Sequence, residues 1–200
     1  MIDNYFNGLI EQVCGRVGKT NRNIVMASYS NDFSIRTLES IVKHSEDEEN
    51  VFFSWCEFDS DRLTGAYEPF LDVICDAYRK NGTGDFADFM RSCGVYELQQ
   101  GTLNSYNETG RCVREENVLL DEVEYEQERM TEAISSMLRA IAEIRPIVVV
   151  INRFQLASGS TMKLVNQLLE DPSMNIGLVL GTNESHFRQE SMTVLWEEIK

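Results

Sequence analysis

The run Ile147-Val148-Val149-Val150-Ile151 constrains the fold of this chain more than any other stretch. Five consecutive β-branched apolar residues suit a strand better than a helix. With no polar alternation, such a strand needs apolar cover on both faces, which is the situation inside a parallel sheet flanked by helices. Arg145-Pro146 stops whatever helix precedes it. The run is also the longest strongly apolar stretch, and it falls far short of the roughly 20 residues that a membrane-spanning helix requires.

Strands and helices alternate around this anchor. Phe6, Leu9, Ile10 and Val13 stand at helical spacing and predict a short helix over 3–14, followed by a strand over 24–29. Leu38, Ile41 and Val42 mark a helix that ends in the charged run at 45–50. "VFFSWCEF" (51–58) reads as a second strand, rich in aromatic and β-branched residues. Tyr67, Phe70, Leu71, Ile74, Ala77 and Tyr78 form one face of a further helix, with Pro69 tolerated in its first turn. Residues 82–110 carry five glycines and read as a variable insertion with a short helix around 85–92. A long acidic helix is expected from about Glu115 to Ile144, with Val123, Met130, Ile134, Met137, Ile141 and Ile144 as its apolar stripe. A helix over 161–170 and a strand over 175–181 complete an open α/β pattern with a mostly parallel sheet.

Two hundred residues, 42% of them hydrophobic, can bury the core of one domain. The formal net charge of −15 is spread along the chain. Such a surface repels nucleic acids and anionic lipid, so neither is expected as a partner. The five cysteines form no Cys-x-x-Cys pair and no basic-then-apolar leader follows Met1, a combination that points to a reduced, cytoplasmic protein.

Gly15-Arg16-Val17-Gly18-Lys19-Thr20 looks like the end of a phosphate-binding loop. Such a loop follows a buried strand and opens a helix, so that backbone N–H groups converge on the phosphates. Here the apolar run 24–27 comes after the Lys-Thr pair, and Val13 stands where the first glycine of the motif belongs. The segment is expected to be a connector. His44 and His186 stand alone without metal-ligand spacing, and no Gly-x-Ser-x-Gly elbow is present.

The second half carries a more extended pattern. A long helix, Pro146, the aliphatic strand, "NRFQLAS" (152–158), a leucine-rich helix and a strand ending near Thr182 together resemble the Walker B and sensor region of AAA+/STAND-type P-loop ATPases. That family often heads bacterial signalling and transcriptional regulators. Pro146, Gln155, Ala157 and Thr182 match, and "TGAYEPFLDVICDAY" (64–78) is similar to the family's helix after the second strand. The resemblance implies a P-loop NTPase-like three-layer αβα sandwich spanning 1–200 as a single domain. The helical lid is absent, and the chain is expected to be the N-terminal piece of a larger protein. Strands near 24–29, 51–57, 147–151 and 176–181 should run parallel, with 147–151 between the first and last of these and right-handed crossovers.

The resemblance also shows what has been lost. The phosphate-binding loop should fall on 30–37, where no glycine remains and β-branched Ile35 resists the left-handed backbone that phosphate contact needs. Arg36 takes the lysine position and Thr37 keeps the magnesium-side hydroxyl. Asn152 replaces the metal-holding aspartate, and an amide is a weak ligand for Mg²⁺. Arg153 replaces the acid that orients water, and it stays protonated. Ser30, Arg36, Thr37, Asn152 and Thr182 thus mark a vestigial nucleotide site, with no catalytic residue, no metal site and no cofactor expected.

Three functions compete. The first is a pseudo-ATPase serving as a regulatory or protein-interaction domain, working through a protein partner or downstream domains of the same polypeptide. The alternative is an ATP-binding switch or a Mg-ATP-using ATPase with an unorthodox site built on Arg36 and Thr37. The third is a scaffold whose sheet edge and long acidic helix dock a basic partner.

Overall fold

The computed structural model describes residues 24–28, 51–58, 66–81, 84–110, 123–171 and 173–183. Four strands, β1 (Ile24–Ser28), β2 (Phe52–Glu57), β3 (Ile147–Asn152) and β4 (Ile176–Asn183), form one sheet in the order β1-β4-β3-β2. All three pairings are parallel. Among the described residues five α-helices accompany them: α1 (Glu68–Asn81), α2 (Phe86–Ser92), α3 (Glu97–Thr109), α4 (Val123–Ile144) and α5 (Gly159–Glu170). The chain is therefore an α/β protein with a parallel sheet.

Every residue of β3 is buried, as its unbroken apolar run requires. Its two faces meet different surroundings. Ile147, Val149 and Ile151 join Ile176, Leu178 and Leu180 of β4 and the apolar faces of α1 to α5 in one core cluster. Val148, Val150 and Val179 are buried as well but stand outside that cluster, on the other face. Burial on both faces is what a sheet between two layers shows, and α1 to α5 supply one of those layers.

The strand order corrects one expectation. Strand 147–151 does not lie between 24–29 and 176–181; β4 sits between β1 and β3, and β3 sits between β4 and β2. From β2 the chain steps one position to β3 and one more to β4, whereas β1 to β2 spans three. Apolar periodicity locates strands, but pairing partners are set by contacts far apart in sequence, so local pattern leaves their order open.

The helices differ from expectation in instructive ways. In α1 the predicted Phe70, Leu71, Ile74 and Ala77 are buried, and Val73 and Cys75 join them. In α4, Ile134, Met137 and Ile141 bury as expected, with Leu138 beside them. Ile144, by contrast, is 67% exposed: it closes the helix where the chain turns through Arg145-Pro146 into β3. Val123 opens α4, and the residues from Glu115 to Asp121 lie outside the described set, as do 3–14, 38–42 and Gly15 to Thr20.

The stretch 82–110 is more ordered than its glycines suggest. α2 lies where a short helix was expected, and α3 follows it with thirteen residues. Phe86, Met90, Val95, Leu103 and Tyr106 all enter the core. Gly94 and Gly110 take left-handed angles at the ends of α2 and α3, the position where a residue without Cβ ends a helix at least cost.

Two substitutions test this packing. Met137→Ala should lower unfolding free energy by about 2–5 kcal/mol in a urea titration, as truncation in a closed core does. Ile144→Ala should change it by no more than about 0.5 kcal/mol. A second test concerns the turn between α5 and β4. Asp171 accepts hydrogen bonds from the hydroxyl and the N–H of Ser173 and from Arg139 Nη2 at 2.8 Å. The Ser173 hydroxyl first, and then Arg139, hold the Asp171 carboxyl below its ordinary value. A depressed carboxylate stabilises the fold at neutral pH and loses that contribution as pH falls through its folded value. Asp171→Ala should therefore have a lower urea midpoint than the parent at pH 7, with the difference vanishing in strong acid.

Candidate functional site

Parallel strands bring all their carboxyl ends to one edge of the sheet, which here collects Ser28, Glu57, Asn152 and Asn183. In open α/β sheets this edge is where ligands gather. Asn152 is the last residue of β3 and is only 3% exposed, so its amide must find partners within the protein. It finds two. Nδ2 donates to Glu57 Oε1 at 3.3 Å, across from it in the register, and Oδ1 accepts the Arg153 backbone N–H at 2.9 Å. The second bond fixes which end of the amide faces which way.

Arg153 closes the arrangement. Its backbone is left-handed at φ 53 and ψ 41, the only positive φ at a non-glycine among the described residues. A residue with a Cβ takes this conformation at a cost, so surrounding contacts must hold it. The side chain returns to Glu57, with Nε 3.2 Å from Oε1. A single 3-10 turn, Phe154–Leu156, follows, with Phe154 fully buried beneath it. Ser158 then caps α5 by accepting the Thr161 N–H at 3.2 Å, and the Thr161 hydroxyl donates to the Ala66 carbonyl.

Thr182 lies on the neighbouring strand, two residues beyond Leu180, which faces Ile151. It shares strand parity with Ile176, Leu178 and Leu180 and so points to the helix-covered face, while Asn152 shares parity with Val148 and Val150 on the other. The sheet edge thus brings the two residues near in sequence register and separates their side chains by face. Thr182 is 3% exposed, and its hydroxyl has no hydrogen-bond partner among the described residues. Ser30, Arg36 and Thr37 lie outside the described residues.

The residue that sequence reasoning missed is Glu57. It closes strand "FFSWCE" with no spacing signal, because its partners lie ninety-five residues away at Asn152 and beyond. Cysteine chemistry does not enter the site. Cys56 and Cys75 are buried, and burial pushes the half-buried Cys93 thiol above its ordinary value, away from the reactive thiolate. Among the described residues no three His, Cys, Asp or Glu side chains converge to hold a metal, and no helix is long and apolar enough to cross a membrane. Compared with known proteins, the chain matches no protein-family model and no curated protein.

Thr182→Val should leave the folded chain as stable or raise its unfolding free energy by about 1 kcal/mol, because a buried hydroxyl without a partner carries an unrecovered desolvation cost. A drop of similar size in the urea midpoint would show that the hydroxyl has a partner in solution.

Proposed function

We propose that the chain is a degenerate P-loop NTPase-like domain, a pseudo-ATPase that has lost turnover and acts as a regulatory or protein-interaction module. The observation carrying this reading is the closed network of Glu57, Asn152 and Arg153. At the end of β3, where the resemblance calls for a metal-holding acid and a water-orienting acid, stand an amide and a cation, both engaged by one carboxylate. An amide already bonded at both ends is a weaker ligand for Mg²⁺ than a carboxylate, and a paired guanidinium accepts no proton from water.

Sheet topology supports the same reading. The direction of the connections reverses between β1, whose successor lies three positions away, and β2 and β3, which step back one at a time. Such reversals create the crevice in which α/β sheets hold ligands. Every lysine and arginine among the described residues already meets a carboxylate, a carbonyl or an aromatic ring, as Lys80 does Asp76, Arg79 the Asn107 carbonyl and Arg145 the ring of Phe52. The −15 charge favours a protein partner or downstream domains of the same polypeptide over nucleic acid.

One observation favours the alternative, an ATP-binding switch. The buried, unpartnered hydroxyl of Thr182 at the strand edge is what a site awaiting a donor or acceptor displays.

Calorimetric titration with Mg-ATP and Mg-ADP, together with a phosphate-release assay, separates the two. The expected result is no release and no binding tighter than about 10 μM, roughly 7 kcal/mol. Tighter binding that disappears in Arg36→Ala would replace the pseudo-ATPase reading with the switch.

A further inference from the structure

Tyr96 caps the N-terminus of α3 without a side-chain hydrogen bond and is 60% exposed, and Tyr125, in the first turn of α4, is 57% exposed. Large aromatic rings left this open are unusual on a surface that is otherwise acidic. Both belong to one patch, because Arg129 stacks between them, its guanidinium carbon 5.5 Å from the Tyr96 ring centre and 4.4 Å from that of Tyr125. Beneath the rings, Glu126 accepts a hydrogen bond from Gln99 Nε2 at 2.7 Å, while its other oxygen is 3.5 Å from Arg129. Gln99 itself is 1% exposed, and its Oε1, buried under the patch, meets no donor among the described residues.

The chemistry of the patch is one-sided. It offers π faces, the Glu126 carboxylate, with one oxygen bonded to Gln99 and the other 3.5 Å from Arg129, and the exposed carboxylate of Glu97. Its two carboxylates outnumber its one cation, Arg129. Arginine is the side chain that brings only donors, a cationic charge and a planar face that stacks on aromatic rings. Arg129 shows that the rings already take a guanidinium, yet both remain more than half open. The net charge of −15 draws a basic segment toward this surface and repels an acidic one.

We propose that Tyr96, Tyr125, Glu97 and Glu126 form a docking surface for an arginine-bearing basic segment of a partner protein. A partner guanidinium stacks on the open ring faces and pairs with the carboxylates beside them. This deepens the protein-interaction reading above, and it rests on that reading for its biological sense, though not for its chemistry.

The test is fluorescence anisotropy with the full chain and three labelled nonapeptides, in which arginine, lysine or glutamate alternates with serine. The arginine peptide should bind at least about threefold more tightly than the lysine peptide, since a guanidinium stacks on a ring where an ammonium does not. The double variant Tyr96→Ala/Tyr125→Ala should lose about fivefold or more of that affinity, because two exposed cation–π contacts are removed. Glu143→Gln, at the far end of α4, should bind as the parent does. Circular dichroism of the double variant checks that the fold persists, and Tyr96→Phe/Tyr125→Phe, which keeps both rings, should bind the arginine peptide within about twofold of the parent. Equal affinity for the arginine and lysine peptides, an undiminished double variant, or preference for the glutamate peptide overturns the proposal. Those results would leave the pseudo-ATPase reading standing, whereas tight ATP binding would remove that reading and leave this surface intact.

Discussion

The two-sided burial of β3 is the constraint from which the rest of the structure follows. A strand with apolar side chains on both faces gains about 1.5–3 kcal/mol for each fully buried Val or Ile, but only if both faces are covered. Its backbone must also be bonded along both edges, since a buried N–H or C=O without a partner is costly. β2 and β4 meet the second need, pairing with β3 residue for residue. The helices that return the chain from β2 to β3 and from β3 to β4 meet the first on one face, through α1, α4 and α5. The strand stays buried to its last residue, and that residue is polar. Asn152 therefore has to be satisfied inside the protein, which is why Glu57 is drawn across from β2 and why Arg153 bends into a left-handed turn to offer its N–H.

That causal order explains which features the sequence disclosed. β3, β4 and α5 were legible because each has a period or a run that only one environment satisfies. The Ser158 cap, with Thr161 three residues on, agrees with the pattern locally. α3 was hidden for a specific reason. Gln99 occupies a buried position where a helix-period reading looks for an apolar side chain, and Tyr96 leaves the helix without a capping signal. Ile144 shows the reverse error. It stands seven residues after Met137 and so lies on nearly the same line of the helix, but the helix ends there and no layer remains for it to pack on.

The polar edge was half legible. Resemblance singled out Asn152 and Arg153 as standing where the family has acids. It did not disclose what they do instead. The partner, Glu57, sits on another strand, and a pairing between residues so far apart leaves no trace in local spacing. Read as a unit, the three residues tie the ends of β2 and β3 together, with Glu57 Oε1 accepting the Asn152 amide and facing the Arg153 guanidinium. The pair of Glu57 and Arg153 is partly exposed on both sides, so its worth to stability is modest, about 0–1 kcal/mol. Its consequence is conformational, because it holds a turn that a residue with a Cβ does not adopt unaided.

The internal use of every described basic residue also shapes the outer surface. Arg139, Lys163 and Arg153 are paired with Asp171, Glu128 and Glu57, so positive charge is consumed in ties between elements. Lys80, Arg91, Arg139 and Lys163 stay more than half exposed in these pairs, and Tyr96 and Tyr125 are the exposed aromatic rings among the described residues. α4 carries both of the properties that matter there. Its inner stripe of Ile134, Met137, Leu138 and Ile141 anchors it in the core, while Tyr125 on its first turn stands in solvent. A helix of 22 residues, about 33 Å long, can separate these roles completely. The open faces of Tyr96 and Tyr125, beside Glu97 and Glu126, are the surface on which the proposed arginine-bearing partner would stack.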